Sequence, residues 1–152
     1  MSSYQKILVA IDFSDHSQQA LVRATVMAEQ FGAEVSLVHV AEVPTYPILE
    51  DIAVTGMPGL WDDEFSQQII DASDERLERL STRYSVSSTK TLLGDPSSEI
   101  VEMALSKKID LIVMGFHGAS GLSRLIGSTT HSVINDAPCD VLAVKLDETD
   151  DV

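Results

Sequence analysis

The chain has 152 residues, 44% of them hydrophobic, and a net charge of −14 from 24 acidic and 10 basic residues. This length favours one domain over residues 1–152, able to bury roughly 70% of its unfolded surface, and the apolar share excludes a disordered chain. The negative field repels nucleic acid and anionic membrane surfaces, and no run approaches the ~20 consecutive apolar residues of a membrane span. The N-terminal "MSSYQKILVAIDFS" has an apolar run too short for a secretory signal, so a cytoplasmic location is expected. Cys139 is the only cysteine, which excludes an intramolecular disulfide and any thiolate metal cluster. Standing at the start of an apolar run, it reads as a small core hydrophobe.

The chain alternates between strand-length and helix-length patterns. Residues 4–12, "YQKILVAID", form the first predicted strand. Ser14 or Asp15 can cap the next helix, in which Ala20, Leu21, Ala24, Met27, Ala28 and Phe31 make one apolar stripe. Gly32 ends it, and residues 33–43 are the second strand. Residues 44–61 hold three of the five prolines and no clean period; a loop of this length is usually a lid, a partner surface or a mobile segment. A helix then starts near Asp62, with Phe65, Ile69, Leu77, Leu80 and Tyr84 on its buried face. Residues 88–94 are the third strand. Asp95 caps the following helix with Pro96 at its first position, Ile100, Val101, Ala104 and Leu105 face the core, and Lys107 and Lys108 suit its C-terminus. "IDLIVMG" is the fourth strand, a helix runs from Gly127-Ser128 to Asp136, and "CDVLAVKL" is the fifth strand. Residues 147–152 read as an acidic, solvated tail.

Strands alternating with helices, and apolar on both faces, predict an α/β fold: a five-stranded parallel open sheet covered by helices on both sides, Rossmann-like in outline. Ligands of such sheets sit beyond the C-terminal strand ends, where strand order reverses. That rule gathers Asp12, Val40 and Gly115 around one crevice.

Four of the eight glycines, Gly115, Gly118, Gly121 and Gly127, crowd into "GFHGASGLSRLIG", directly before Ser128 and Thr129. Glycines without a Cβ let main-chain N–H groups approach a ligand, and a helix start offers unpaired N–H groups and a favourable dipole to an anion. A phosphate cradle fits this pattern; so does a tight turn at a strand end. The P-loop, the dinucleotide fingerprint after the first strand, the SGGxDS pyrophosphatase motif and the HIGH and KMSKS signatures are all absent.

"KILVAIDFSDHSQQAL", "AEVSLVHV", "GDPSSEIVEMA", "DLIVMGFHGASGLSRLIGSTTHSVI" and "APCDVLAV", in this order, resemble the universal stress protein family over almost the whole chain. The resemblance implies the five-stranded fold, a homodimer through the last strand, here Val141, Leu142, Ala143 and Val144, and in many members ATP held by a G-x2-G-x9-G-[ST] pattern. This chain has Gly115-x2-Gly118, then eight residues, then Gly127-Ser128: one residue short, with Phe116 where a small polar residue is expected. By resemblance Ala10, Ile11 and Asp12 line the adenine and ribose end, Val40 contacts the base, Met114 and Gly115 close over the ribose, and Gly118, Gly127, Ser128 and Thr129 hold phosphates. ATP is the favoured cofactor, with AMP or ADP held nearly as well because the shortened arch endangers contacts to the outer phosphates; Mg²⁺ can accompany ATP.

The remaining candidates divide between ligand and scaffold. Asp12 suits a ligand contact or turn and cap chemistry. His117 and Arg124 are candidate phosphate contacts or solvated turn residues. His39 reads as a half-buried strand residue, and His16 and His131 as helix-surface residues. No paired carboxylates, metal-ligand spacing or activated nucleophile can be placed, so no catalytic residue is assigned and enzymatic activity stays undecided. Three function classes follow: a nucleotide-binding dimeric regulatory module acting on a protein partner in the stress response, a nucleotide-independent dimeric interaction protein of the same fold, and a slow ATP hydrolase.

Overall fold

The computed structural model describes residues 3–42, 63–117 and 126–146. Its elements in chain order are β1 (Lys6–Ala10), α1 (Asp15–Phe31), β2 (Glu34–Ala41), α2 (Asp63–Arg83), β3 (Ser88–Leu93), α3 (Pro96–Ser106), β4 (Leu111–Gly115), α4 (Ser128–Asp136) and β5 (Asp140–Val144). All pairings are parallel, and the strand order is β3-β2-β1-β4-β5. The five-stranded parallel α/β fold expected from the sequence is therefore the fold observed. No described helix is long and apolar enough to cross a membrane.

Alternation along the strands divides the core in two. Ile7, Val9, Val35, Leu37, Leu111 and Val113 face α1 and α2, while Leu8, Val38, Ile112 and Met114 face α3 and α4. With both faces covered, the central strands read as continuous apolar runs. Helix α1 meets the sheet through Ala20, Leu21, Ala24 and Ala28, and its three alanines allow a close approach. Ser14 is its cap, accepting from the Ser17 N–H, and Gly32 ends it at φ +66°. Asp95 caps α3 by accepting from the Ser98 N–H, with Pro96 at the first position.

Three positions of the predicted apolar stripes fall outside the core. Leu105 is 67% exposed because the buried arc of α3 is centred on Ile100, Met103 and Ala104, and ~100° of rotation per residue carries Leu105 past it. Phe65 is 41% exposed, since α2 buries the stripe of Ser73 and Leu77, with Leu80 and Tyr84 beside it, and Phe65 lies in its first turn. Phe31, also 41% exposed, packs edge-on against Tyr4 with ring centroids 5.4 Å apart. The 44–61 loop and the 147–152 tail lie outside the described residues.

Hydrogen bonds from the Ser98 hydroxyl and main chain and from the Ser97 hydroxyl hold the Asp95 carboxyl below the usual carboxylate range. A depressed carboxyl adds stability that is complete above its unfolded value and is lost as pH falls through its folded value. Asp95→Asn keeps a capping side chain without the charge. Wild type should melt higher than this variant at pH 7, and the gap should close as pH falls below about 4. A gap that persists at pH 2 in thermal melts would contradict this role.

Candidate functional site

The chain leaves β1 toward β2 and β3 and then crosses to β4 and β5, so the connections part at the C-terminal ends of β1 and β4. A crevice at such a point is where open α/β sheets take ligands.

On the β1 side, Ala10 is half-buried and Ile11 is buried. The Ile11 N–H donates to the Val38 carbonyl at 2.8 Å, and its carbonyl accepts from His39 Nδ1 at 2.7 Å. A carbonyl only accepts, so Nδ1 carries the hydrogen. Asp12 is exposed; its Oδ1 accepts from the Ser14 N–H at 3.0 Å and from the Ser14 hydroxyl. This carboxylate thus performs turn chemistry that presents the α1 cap. Phe13 sits at φ +63°, an uncommon left-handed setting for a bulky residue. Its ring lies 4.6 Å from the His39 ring and 3.8 Å beneath the Arg76 guanidinium.

On the β4 side, the Met114 side chain is buried in the core facing α3 and α4, leaving only its main chain at the crevice. Gly115 touches α1: a Cβ here would lie 2.8 Å from His16 Cβ and 3.0 Å from the His16 main-chain carbon. The glycine is required by helix-to-strand packing. Phe116 donates its N–H to the Val144 carbonyl and accepts from the Gly127 N–H, both at 2.8 Å. Lys145 Nζ lies 4.6 Å from the Phe116 ring centroid. His117 is half-buried, edge-to-face with His16 at 5.3 Å.

Helix α4 begins at the same place. Its N-cap is Gly127, with no side-chain cap, whereas Ser14 and Asp95 cap α1 and α3. Among the described residues no side chain caps the main-chain donors of its first turn, which lie at the positive end of the helix dipole. Ser128 is exposed and Thr129 half-buried. The buried Thr130 hydroxyl donates to the Gly115 carbonyl at 2.8 Å, tying α4 to the end of β4.

The structure thus brings Ala10, Ile11, Asp12, Gly115 and His117 to the C-terminal ends of β1 and β4, and sets Gly127, Ser128 and Thr129 at the start of α4. Val40 is half-buried in β2 and packs with Ala10 against the second core. Gly118 and Arg124 lie outside the described residues. His131 is exposed on α4 as expected. His16 corrects its helix-surface expectation: it is half-buried, its Nδ1 is buried without a partner among the described residues, and it meets His117. Sequence reasoning also missed Thr130 and Phe13. A hydroxyl two residues into α4 was a visible signal for Thr130; nothing marked the left-handed turn at Phe13.

Val141, Leu142, Ala143 and Val144 form the edge strand β5, with Val141 in the second core and Leu142 and Val144 in the first. Cys139 precedes them half-buried, and burial, then the Asp140 charge, push its thiol up, away from the reactive thiolate. Among the described residues no three His, Cys, Asp or Glu side chains could hold a metal ion together.

A parallel α/β sheet whose strand order reverses between β1 and β4, with the start of α4 beside that point, belongs to the class of open, doubly covered α/β sheets, whose ligands are generally taken at such a reversal. The universal stress protein family profile matches residues 3–145. The universal stress protein MJ0531 of Methanocaldococcus jannaschii is 36% identical over 148 residues, which cover 93% of this chain and 82% of that protein. The chain belongs to the universal stress protein family. Among solved structures, the hypothetical protein MJ0577 is similar with a TM-score of 0.78 at 26% identity, over 97% of this chain and 99% of the other. A universal stress protein in complex with cAMP is similar with a TM-score of 0.60 at 27% identity, over 94% of this chain and 98% of the other.

Two substitutions test the junction of α1, β4 and α4. Gly115→Ala forces the His16 main chain away and should cost about 1–3 kcal/mol, the usual penalty of overpacking. Thr130→Val leaves the buried Gly115 carbonyl without its donor and should cost about 1–3 kcal/mol. Urea unfolding measures both, and unchanged midpoints would show the junction to be slack.

Proposed function

We propose that this chain is an adenine-nucleotide-binding regulatory module that acts as a homodimer in the cytoplasm. The observation that carries this reading is the start of α4 at Gly127-Ser128, whose first-turn N–H groups lack a side-chain cap and border the crevice between β1 and β4. An anion satisfies such a terminus without any lysine, and this matters in a protein whose net charge is −14. Phosphates are held by Gly118, Gly127, Ser128 and Thr129, with His117 and Arg124 beside them, and the adenosine end by Ala10, Ile11, Asp12, Val40 and the main chain of Met114 and Gly115. ATP is the favoured ligand, with AMP or ADP close behind, and Mg²⁺ accompanies ATP. The cAMP complex of a structural relative supports a nucleotide in this fold. β5, at one sheet edge and apolar on both faces, pairs with its copy, and the bound nucleotide sets the dimer's affinity for a protein partner.

One observation favours a second reading, a nucleotide-independent dimeric interaction protein. Gly115 is explained by its contact with His16 alone, so this glycine testifies to packing rather than to a ligand. Hydrolysis, if present, is a slow side reaction.

Calorimetry with ATP, ADP, AMP and cAMP, with and without Mg²⁺, separates the readings. Nucleotide should bind; Gly118→Val should abolish binding; and Ser128→Ala should weaken it by about 1–3 kcal/mol, the range for a hydrogen bond to a charged group. No heat from any nucleotide at millimolar concentration would select the second reading. ATP turnover should fall far below the ~10 s⁻¹ typical of enzymes.

A further inference from the structure

A second concave surface lies on the flank of the sheet, away from the crevice. It is a groove of about 550 Å³ between α2 and β3, lined by Asp74, Glu78, Ser81, Thr89, Lys90 and Thr91 among others. Strand β3 is the terminal strand opposite β5, and its pairing with β2 uses one of its two edges. Among the described residues no strand pairs with the other edge. An unpaired edge is a template for another chain.

The register shows what such a chain would meet. Thr89 and Thr91 lie level with Leu37 and His39 and share the Leu37 face, toward α2, while Lys90 lies level with Val38 on the opposite face. Thr91 is 7% exposed, and its Oγ1 has no hydrogen-bond partner among the described residues. A buried hydroxyl left unpaired costs free energy and marks a position that an incoming donor can complete.

Helix α2 supplies the charge. Its arginines are already engaged: Arg76 over Phe13, Arg79 with Glu75 at 2.6 Å, and Arg83 over Tyr84. Among the described residues the carboxylates of Asp74 and Glu78 have no partner, and both line the groove. They stand one helical turn apart, ~6 Å along the axis, close to the ~6.7 Å between alternate side chains of a strand.

We propose that this groove and the free edge of β3 dock an extended basic peptide segment of another protein, added to the sheet as a further strand. Its main chain pairs with β3, basic side chains at alternate positions meet Asp74 and Glu78, and the residue between them points to the Lys90 face, where an acidic or neutral side chain is favoured. Main-chain pairing gives affinity and alternate side chains give specificity, as in other strand additions. The chain's own segments are poor occupants. Residues 43–62 and 147–152 contain no lysine or arginine, and 118–125 contains only Arg124. A second copy would bring a further charge of −14 to an acidic groove. The proposal is independent of the nucleotide reading.

The test titrates the full chain with the peptide Thr-Lys-Val-Lys-Val-Thr and follows its backbone amides by NMR. Saturable shifts should centre on Ser88–Leu93 and the groove face of α2, with slowed hydrogen exchange in β3. The permuted peptide Thr-Lys-Lys-Val-Val-Thr, which breaks the alternation, should bind more weakly. The double variant Asp74→Lys, Glu78→Lys changes two exposed side chains and should stay folded. It should lose about tenfold in affinity for the lysine peptide, as expected for two solvent-facing ion pairs, and should gain affinity for Thr-Glu-Val-Glu-Val-Thr. Equal binding of the lysine peptide by wild type and the double variant would overturn the proposal, as would shifts spread over the acidic surface. A change of oligomeric state in the double variant by analytical ultracentrifugation would overturn it in favour of a second copy.

Discussion

The close approach of α1 to the end of β4 governs this molecule. Gly115 leaves no room for a Cβ against His16, so the first turn of α1 lies directly on the strand end. From that contact the other positions follow. The Gly115 carbonyl receives the Thr130 hydroxyl, the next residue's N–H binds β5 at Val144, and its carbonyl receives the Gly127 N–H. Three successive main-chain groups thus tie the end of β4 to α4, to β5 and to Gly127, the residue after the 117–126 segment. The two feet of that segment, Phe116 and Gly127, are pinned to each other.

This geometry divides the glycines by cause. Gly115 answers to packing, and Gly127 to a helix start that no side chain caps among the described residues. The sequence pattern alone could not separate these causes, because a close approach and a ligand cradle both demand a missing Cβ. The separation needs the distance from Gly115 to His16, residues far apart in the chain that meet only after the parallel sheet has formed.

Much of the fold was legible because its signals are local. Ser14, Asp95 and Gly32 act through the nearest turn of main chain, and the caps were read from those residues. Two-sided apolar runs in β1 and β4 announced a covered parallel sheet. Leu105 and Phe65 show where periodicity stops: spacing defines a stripe, but the neighbouring layer chooses which arc of the helix is buried. At the crevice the strand ends and the α4 start were legible. His16 was not, because its burial comes from β4 rather than from α1 itself. The His39 bond to Ile11 and the contacts of Phe13 with His39 and Arg76 were equally invisible, since their partners lie on β2 and α2, later in the chain.

The two edges of the sheet differ in a way that bears on assembly. β5 offers Val141, Leu142 and Ala143, half-buried and apolar, whereas β3 offers the hydroxyls of Thr89 and Thr91 on the face toward the carboxylates of α2 and Lys90 on the opposite face. Apolar surface favours a permanent partner of matching shape, and a polar, charged edge resists self-association while accepting a partner of opposite charge. A two-fold pairing through β5 uses the same patch on both copies and turns each β3 outward. The crevice at β1 and β4 lies between these edges, within one covered sheet. Position and charge therefore make the three surfaces physically distinct: an apolar edge at β5, strand ends beside the start of α4, and a hydroxyl-rich edge at β3 near the carboxylates of α2.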